Sequence, residues 1–347
     1  MKGIVMSMES GNFSPKERLL MKLRGENTDR PPVICPGGML NAAIVEVMEH
    51  TGHVLPDGHT DAGIMTLLAR DISELTGFEN YGVPFCMTVE AEALGSSIDL
   101  GSISCEPKIA KERFASVSEA LLSSPIDAGD HERVATIASA VNNLAGGDVP
   151  VIGSITGPVS AAASLVDPMV FFKELHKDKE NAHRVLNIVT DWLIDYAVIL
   201  CDNGADVITI ADPTATGELL GPRYFEEYGL PYINRMVETI QGMATPVIVH
   251  ICGQISSIAK HVAKIKGDAI STDAVVNLRL LKKEYPHLTT MGNMSTIRLE
   301  QGTPDGVTRG TDVLLRNGID IIAPACGLGT ATPLKNIAAF TSRVKEK

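Results

Sequence analysis

From about residue 148 onwards the chain repeats one pattern: a short, nearly continuous apolar run, a loop carrying Gly, Pro, Asp or Asn, and then a stretch of helical periodicity. The runs lie at 149–155, 206–211, 246–250, 268–271, 288–293 and 318–323. A strand with one wet face alternates apolar and polar side chains, whereas a parallel strand covered by helices is apolar on both faces. The repeat therefore predicts a parallel sheet wrapped in helices. A further apolar run, Pro31-Pro32-Val33-Ile34-Cys35-Pro36, brings the units close to the number needed for a (β/α)8 TIM barrel, a fold that accommodates a chain of 347 residues as one unit. No Gly/Ser-rich linker interrupts it, so residues 1–347 are read as a single barrel domain. A doubly wound sheet is the competing architecture, but neither GxGxxG nor GxxxxGK[ST] follows the first strand.

Ahead of the repeat, Ser14-Pro15-Lys16-Glu17 carries an N-cap, a first-turn proline and a capping-box glutamate, which predicts an opening helix. Helical periodicity returns at 41–49 and 62–75. The stretches 85–89 and 96–100, separated by a segment containing Gly95, read as a hairpin excursion. On that reading Glu90 and Glu92 alternate along a strand and face solvent.

A formal charge of -12 with 4% aromatic residues argues against nucleic acid, which needs clustered cations and stacking platforms. No stretch approaches the roughly 18 consecutive apolar residues of a membrane span, and residues 1–10 lack the apolar core of a signal peptide. A cytoplasmic protein is expected. Its six cysteines then read as thiols rather than as a disulfide framework.

Two of those thiols stand beside chemistry. His250-Ile251-Cys252 ends the run 246–250, and side chains two apart on an extended segment share a face. Imidazole and thiolate are thus presented together, a pair suited to zinc. Cys326, in Ala323-Pro324-Ala325-Cys326-Gly327, closes the last strand-like run and is the third ligand expected. Three protein ligands with an open fourth position characterise a catalytic zinc, whereas structural sites are closed by four. Barrel active sites lie at the C-terminal ends of strands, where all three residues fall. Each alone has a plain reading, as a core cysteine or a histidine bonded to backbone; only the combination points to a metal. Asp273, at the end of the next run, is the candidate fourth ligand or a partner of His250, with a helix N-cap as the alternative. Asp212, Asn293, Thr156 and Gly157 also follow strands and are candidate substrate-binding residues. For these, turn-forming roles such as an Asx-turn before Pro213 stand equally open.

The set Val249-His250-Ile251-Cys252-Gly253, Ile210-Ala211-Asp212-Pro213 and Ala323-Pro324-Ala325-Cys326-Gly327, with Cys326 74 residues after Cys252, resembles the methylcobamide:coenzyme M methyltransferases of the uroporphyrinogen decarboxylase superfamily. Similarity extends from Ser14-Pro15-Lys16-Glu17-Arg18-Leu19-Leu20 through Pro84-Phe85-Cys86-Met87-Thr88-Val89 to Thr332-Pro333-Leu334. The resemblance implies a (β/α)8 barrel with Zn2+ on His250, Cys252 and Cys326. It also implies a methylcobamide (corrinoid) methyl donor carried by a separate small protein, and a small thiol such as coenzyme M as acceptor. A non-thiol acceptor such as tetrahydrofolate, or a non-catalytic corrinoid- or metal-binding module, are the alternatives. Decarboxylation of a tetrapyrrole is disfavoured, because Arg30-Pro31-Pro32-Val33-Ile34-Cys35-Pro36-Gly37-Gly38-Met39 has no arginine beyond its first residue to bind propionates.

Overall fold

In the computed structural model, which describes residues 13–121 and 125–346, every one of the six apolar runs becomes a strand. The strands in chain order are β1 (Tyr81–Val83), β2 (Ser97–Asp99), β3 (Lys108–Lys111), β4 (Val151–Thr156), β5 (Val207–Ala211), β6 (Val247–Ile251), β7 (Ala269–Thr272), β8 (Thr290–Met294) and β9 (Ile321–Pro324). All but β2 and β3 form one sheet in the order β1-β4-β5-β6-β7-β8-β9, with every pair parallel. Residues 1–10, read above for a signal peptide, lie outside the described residues.

The ring is completed by the proline-bounded segment around Val33. Ile34 donates to Ile322 O at 3.0 Å and Ile322 donates to Pro32 O at 2.9 Å, which joins the segment to β9. On the other side Glu79 N donates to Val33 O at 2.9 Å. The next residues pair through a side chain: Cys35 N donates to Asn80 Oδ1 at 2.8 Å and Asn80 Nδ2 donates to Cys35 O at 3.1 Å. Prolines at 31, 32 and 36 supply no N–H, so this eighth stave holds its place without a regular ladder.

Side chains two apart share a face of a strand, and the barrel interior is built in layers on that rule. Ile34, Ile152, Val207, Ile248, Ala269, Met291 and Ile321 form one apolar cluster, joined by Leu19 and Leu23. Those leucines come from the helix Pro15–Leu23, whose capping box and first-turn proline are as expected; this helix plugs the end where the strands begin. Two residues further along β4 to β8 the interior turns polar, with Ser154, Thr209, His250, Ser271 and Asn293 all buried.

The expected hairpin is displaced by one element. Residues Val89–Ala93 are a helix, and the antiparallel pair is β2 with β3. Glu-Ala-Glu-Ala mimics the period of a strand, but alanine and glutamate favour helix. Glu90 is accordingly not a solvated residue: it is 1% exposed. Among the described residues no helix is long and apolar enough to cross a membrane.

Candidate metal centre

His250 lies on the interior face of β6, fully buried. Its Nδ1 is 2.9 Å from Ser271 Oγ, the residue paired with it on β7. One ring nitrogen is thereby fixed by the neighbouring strand, while Nε2 is a buried polar atom without a hydrogen-bond partner. An orphaned buried nitrogen calls for a ligand or ion. Cys252, two residues on, and Cys326, just past β9, bring their sulfurs to 3.8 Å of each other. The nitrogen and both sulfurs lie within 4.8 Å of one another.

The sulfur separation discriminates between chemistries. A disulfide needs about 2.05 Å, whereas two sulfurs each about 2.3 Å from one tetrahedral zinc stand roughly 3.8 Å apart. The observed spacing fits the second. The hydrogen bond between the sulfurs pulls Cys326 below the usual thiol range and pushes Cys252 up. The two thiols are thereby shifted in opposite directions by one contact.

Asp273 presents Oδ2 3.7 Å from Cys252 Sγ, while its Oδ1 accepts from Val275 N at 3.1 Å. One oxygen is spent on its own turn and the other faces the sulfurs. Asn293 holds that turn in place, donating from Nδ2 to Asp273 O at 2.9 Å and Val276 O at 2.8 Å.

Asp212 is engaged elsewhere. Fully buried, it accepts from Val159 N at 3.0 Å, Ser160 N at 2.9 Å and Ser160 Oγ at 2.6 Å. Burial pushes its carboxyl up, against the lowering effect of Ser160 and these backbone donors. Both oxygens anchor the start of the helix Pro158–Ala163, so Asp212 orders the mouth rather than facing it. Gly157 is required by the same clamp, because a Cβ there would stand 2.4 Å from Asp212 Cβ. Thr156 donates its backbone N–H to Glu90 Oε1 at 2.7 Å, and its hydroxyl is buried without a partner.

Beyond Cys326 the mouth opens into a cavity of about 650 Å³, bordered by Met39, Cys86, Met87, Glu106 and Lys108 among others. Three contributors were not singled out from the sequence. Ser271 lies on β7 two residues before Asp273, which follows the strand's end, so the period-two rule that found Cys252 would have found it. Glu90 was hidden by the strand reading of its helix. Glu106, on the turn between β2 and β3, lies close enough to Cys326 to act on it electrostatically, and no local pattern marks it.

Known proteins match this chain over nearly its whole length. The family model for uroporphyrinogen decarboxylase (URO-D) matches residues 14–347. The chain belongs to the URO-D family. It is 32% identical over 339 residues to the methylcobamide:CoM methyltransferase MtbA of Methanosarcina acetivorans, covering 96% of this chain and 98% of that protein. To the methylcobamide:CoM methyltransferase MtaA of Methanosarcina barkeri it is 30% identical over 336 residues, covering 95% and 97%. Among solved structures, a methyltransferase from Methanosarcina mazei superposes with a TM-score of 0.89 at 30% identity, covering 96% of this chain and 99% of that one. The resemblance drawn from the motifs and the TIM-barrel fold are both borne out, and this URO-D chain resembles the methyltransferases named within the family.

Proposed function

We propose that this chain is a zinc-dependent methyltransferase that moves a methyl group from a methyl-Co(III) corrinoid, carried by a separate small protein, to a small thiol such as coenzyme M. The observation that carries this reading is the open nitrogen-and-two-sulfur set at the barrel mouth, in a chain nearly a third identical to methylcobamide:CoM methyltransferases. His250, Cys252 and Cys326 would hold the metal. Zinc so held acts as a Lewis acid that lowers the pKa of an incoming thiol and maintains a thiolate at neutral pH.

The rest is done by the chain. Ser271 fixes the His250 ring, and Asn293 steadies the turn that carries Asp273. On this reading the cavity beside Cys326 would take up the small thiol. A methyl-corrinoid brought to this mouth would supply the methyl group to the acceptor sulfur and keep the electron pair of the broken carbon–cobalt bond, and the chain's own contribution would be alignment. Thiol consumption with methylcobalamin as donor tests the proposal directly. Transfer to a folate with no transfer to thiols would replace it with the alternative acceptor, and bound metal with no turnover would replace it with a binding module.

The role of Ser271 yields a finer expectation. Partners of metal ligands are worth about 10–100-fold in metal affinity. Ser271→Ala should weaken zinc binding by that order, measured by competition with a chromogenic chelator. An unchanged affinity would mean that Ser271 does not set the ring.

A further inference from the structure

Beside the cavity that Cys326 borders lies a second concentration of chemistry that methyl transfer does not use. Cys86 is 6% exposed and borders the cavity that Cys326 also borders. Its sulfur accepts from Arg133 Nη2 at 3.0 Å and from Thr88 Oγ1 at 3.4 Å. Arg133 is itself buried and also donates to Glu92 Oε2 at 2.7 Å, and to Thr88 Oγ1 and His59 O at 3.4 Å each. Around the pair, buried polar atoms stand without partners: Glu90 Oε2, the Tyr196 hydroxyl and both ring nitrogens of His59. Tyr196 lies within the electrostatic reach of Glu90 and Cys86, and His59 within that of Arg133. Unsatisfied buried groups call for an occupant or a chemical role.

A cysteine that borders a cavity and is oriented by hydrogen bonds from a guanidinium and a hydroxyl is placed to attack an electrophile held there. Cys35 provides the internal contrast. It is buried, donates to Leu40 O at 2.8 Å, and burial pushes its thiol far up.

We propose that Cys86 is a second reactive sulfur of this chain, a modification site for small aliphatic disulfides in the same cavity as Cys326. In the step, the Cys86 sulfur attacks one sulfur of R–S–S–R. The Cys86–S–S–R bond forms as the reagent's S–S bond breaks, the electron pair leaves with the departing sulfur, and the Cys86 thiol proton goes to it through solvent, so that RSH is released. A dithiol reverses it. The inference is independent of the metal, because neither Cys86 nor Arg133 is among the proposed ligands.

The test incubates the zinc-loaded full-length protein with 2-hydroxyethyl disulfide and follows each cysteine by peptide mass spectrometry. Cys86 is expected to form the mixed disulfide, reversed by dithiothreitol, while Cys35 stays unmodified. Arg133→Met should slow adduct formation at Cys86 about tenfold or more, with Arg133→Lys retaining most of the rate and the exposed Cys105 unaffected by either. Should Arg133→Met fail to fold, Thr88→Val gives the second reading, a several-fold slowing at Cys86 alone. Labelling confined to Cys105 and Cys201, or a Cys86 rate indifferent to these variants, would overturn the proposal. Neither outcome bears on whether the protein transfers methyl groups.

Discussion

Cys252→Ala is expected to lose both bound zinc and methyl transfer to thiols while the barrel stays folded. Cys252 stands just past the end of β6, only partly buried, so its truncation opens no large core cavity. Its sulfur is nonetheless one of three donor atoms gathered within 4.8 Å. Removing one leaves a two-ligand site, which holds zinc poorly. Because loss of a ligand's own partner costs about 10–100-fold, loss of a ligand should cost more in transfer rate and in zinc affinity. Metal content by atomic emission and thiol loss with methylcobalamin measure the two effects, and thermal unfolding checks the fold. Full zinc content with full activity would refute the site. Asp273→Asn separates the occupants of the fourth position: zinc retention with near-normal turnover leaves that position to the incoming thiol, and zinc loss assigns it to Asp273.

The parts of the molecule that could be read from residue order are those where one physical demand repeats. β4 to β9 announce themselves because burial on both faces makes each run apolar, and the metal donors because period two puts residues 250 and 252 on one face. Where tertiary pairing replaces the local rule, the pattern goes quiet. The stave around Val33 pairs through the side chains of Glu79 and Asn80, and β1 is only Tyr81–Val83, one of whose three residues is glycine. The misread hairpin is the instructive failure, since alternation in Val89–Ala93 satisfies a strand template while the residue types favour a helix. That one exchange turned Glu90 from an exposed residue into a buried acid holding Thr156, and with it hid the polar cluster behind Cys86. Asp212 shows the opposite limit. Its place at a strand end was legible, but only the structure shows both oxygens committed to Val159 and Ser160.

The largest effect on stability belongs to Glu79, at the opposite end of the barrel from the metal donors. Its carboxylate is buried and takes Arg30 Nη1 at 2.8 Å, Arg18 Nη1 at 3.1 Å and Val33 N at 3.0 Å, and Arg30 Nη2 adds a further short contact. Arg18 comes from the helix that plugs the barrel, Arg30 and Val33 from the stave that closes it, and Glu79 from the approach to β1. One side chain thus ties three elements that no regular ladder joins. Glu79→Gln keeps the shape and removes the charge, leaving the largely buried Arg30 guanidinium without its carboxylate, while Arg18 keeps only Asp29. Breaking a buried pair in this way costs about 3–5 kcal/mol, a large share of a typical stability of about 5–15 kcal/mol. The dependence on pH has a definite sign. Burial raises the Glu79 carboxyl, but the Arg30 hydrogen bond and charge, the Val33 N–H and Arg18 outweigh it, and the group sits below the usual carboxylate range. A folded-state pKa below the unfolded one, about 4.3 for glutamate, gives stability that is complete above that value and is lost as pH falls through the folded pKa. Urea unfolding should therefore show the wild-type chain well ahead of Glu79→Gln at neutral pH, with the gap narrowing only in the acid range. A gap that stayed constant down to acid pH would place the loss in packing and hydrogen-bond geometry, not in the charge that ties plug, stave and β1 together.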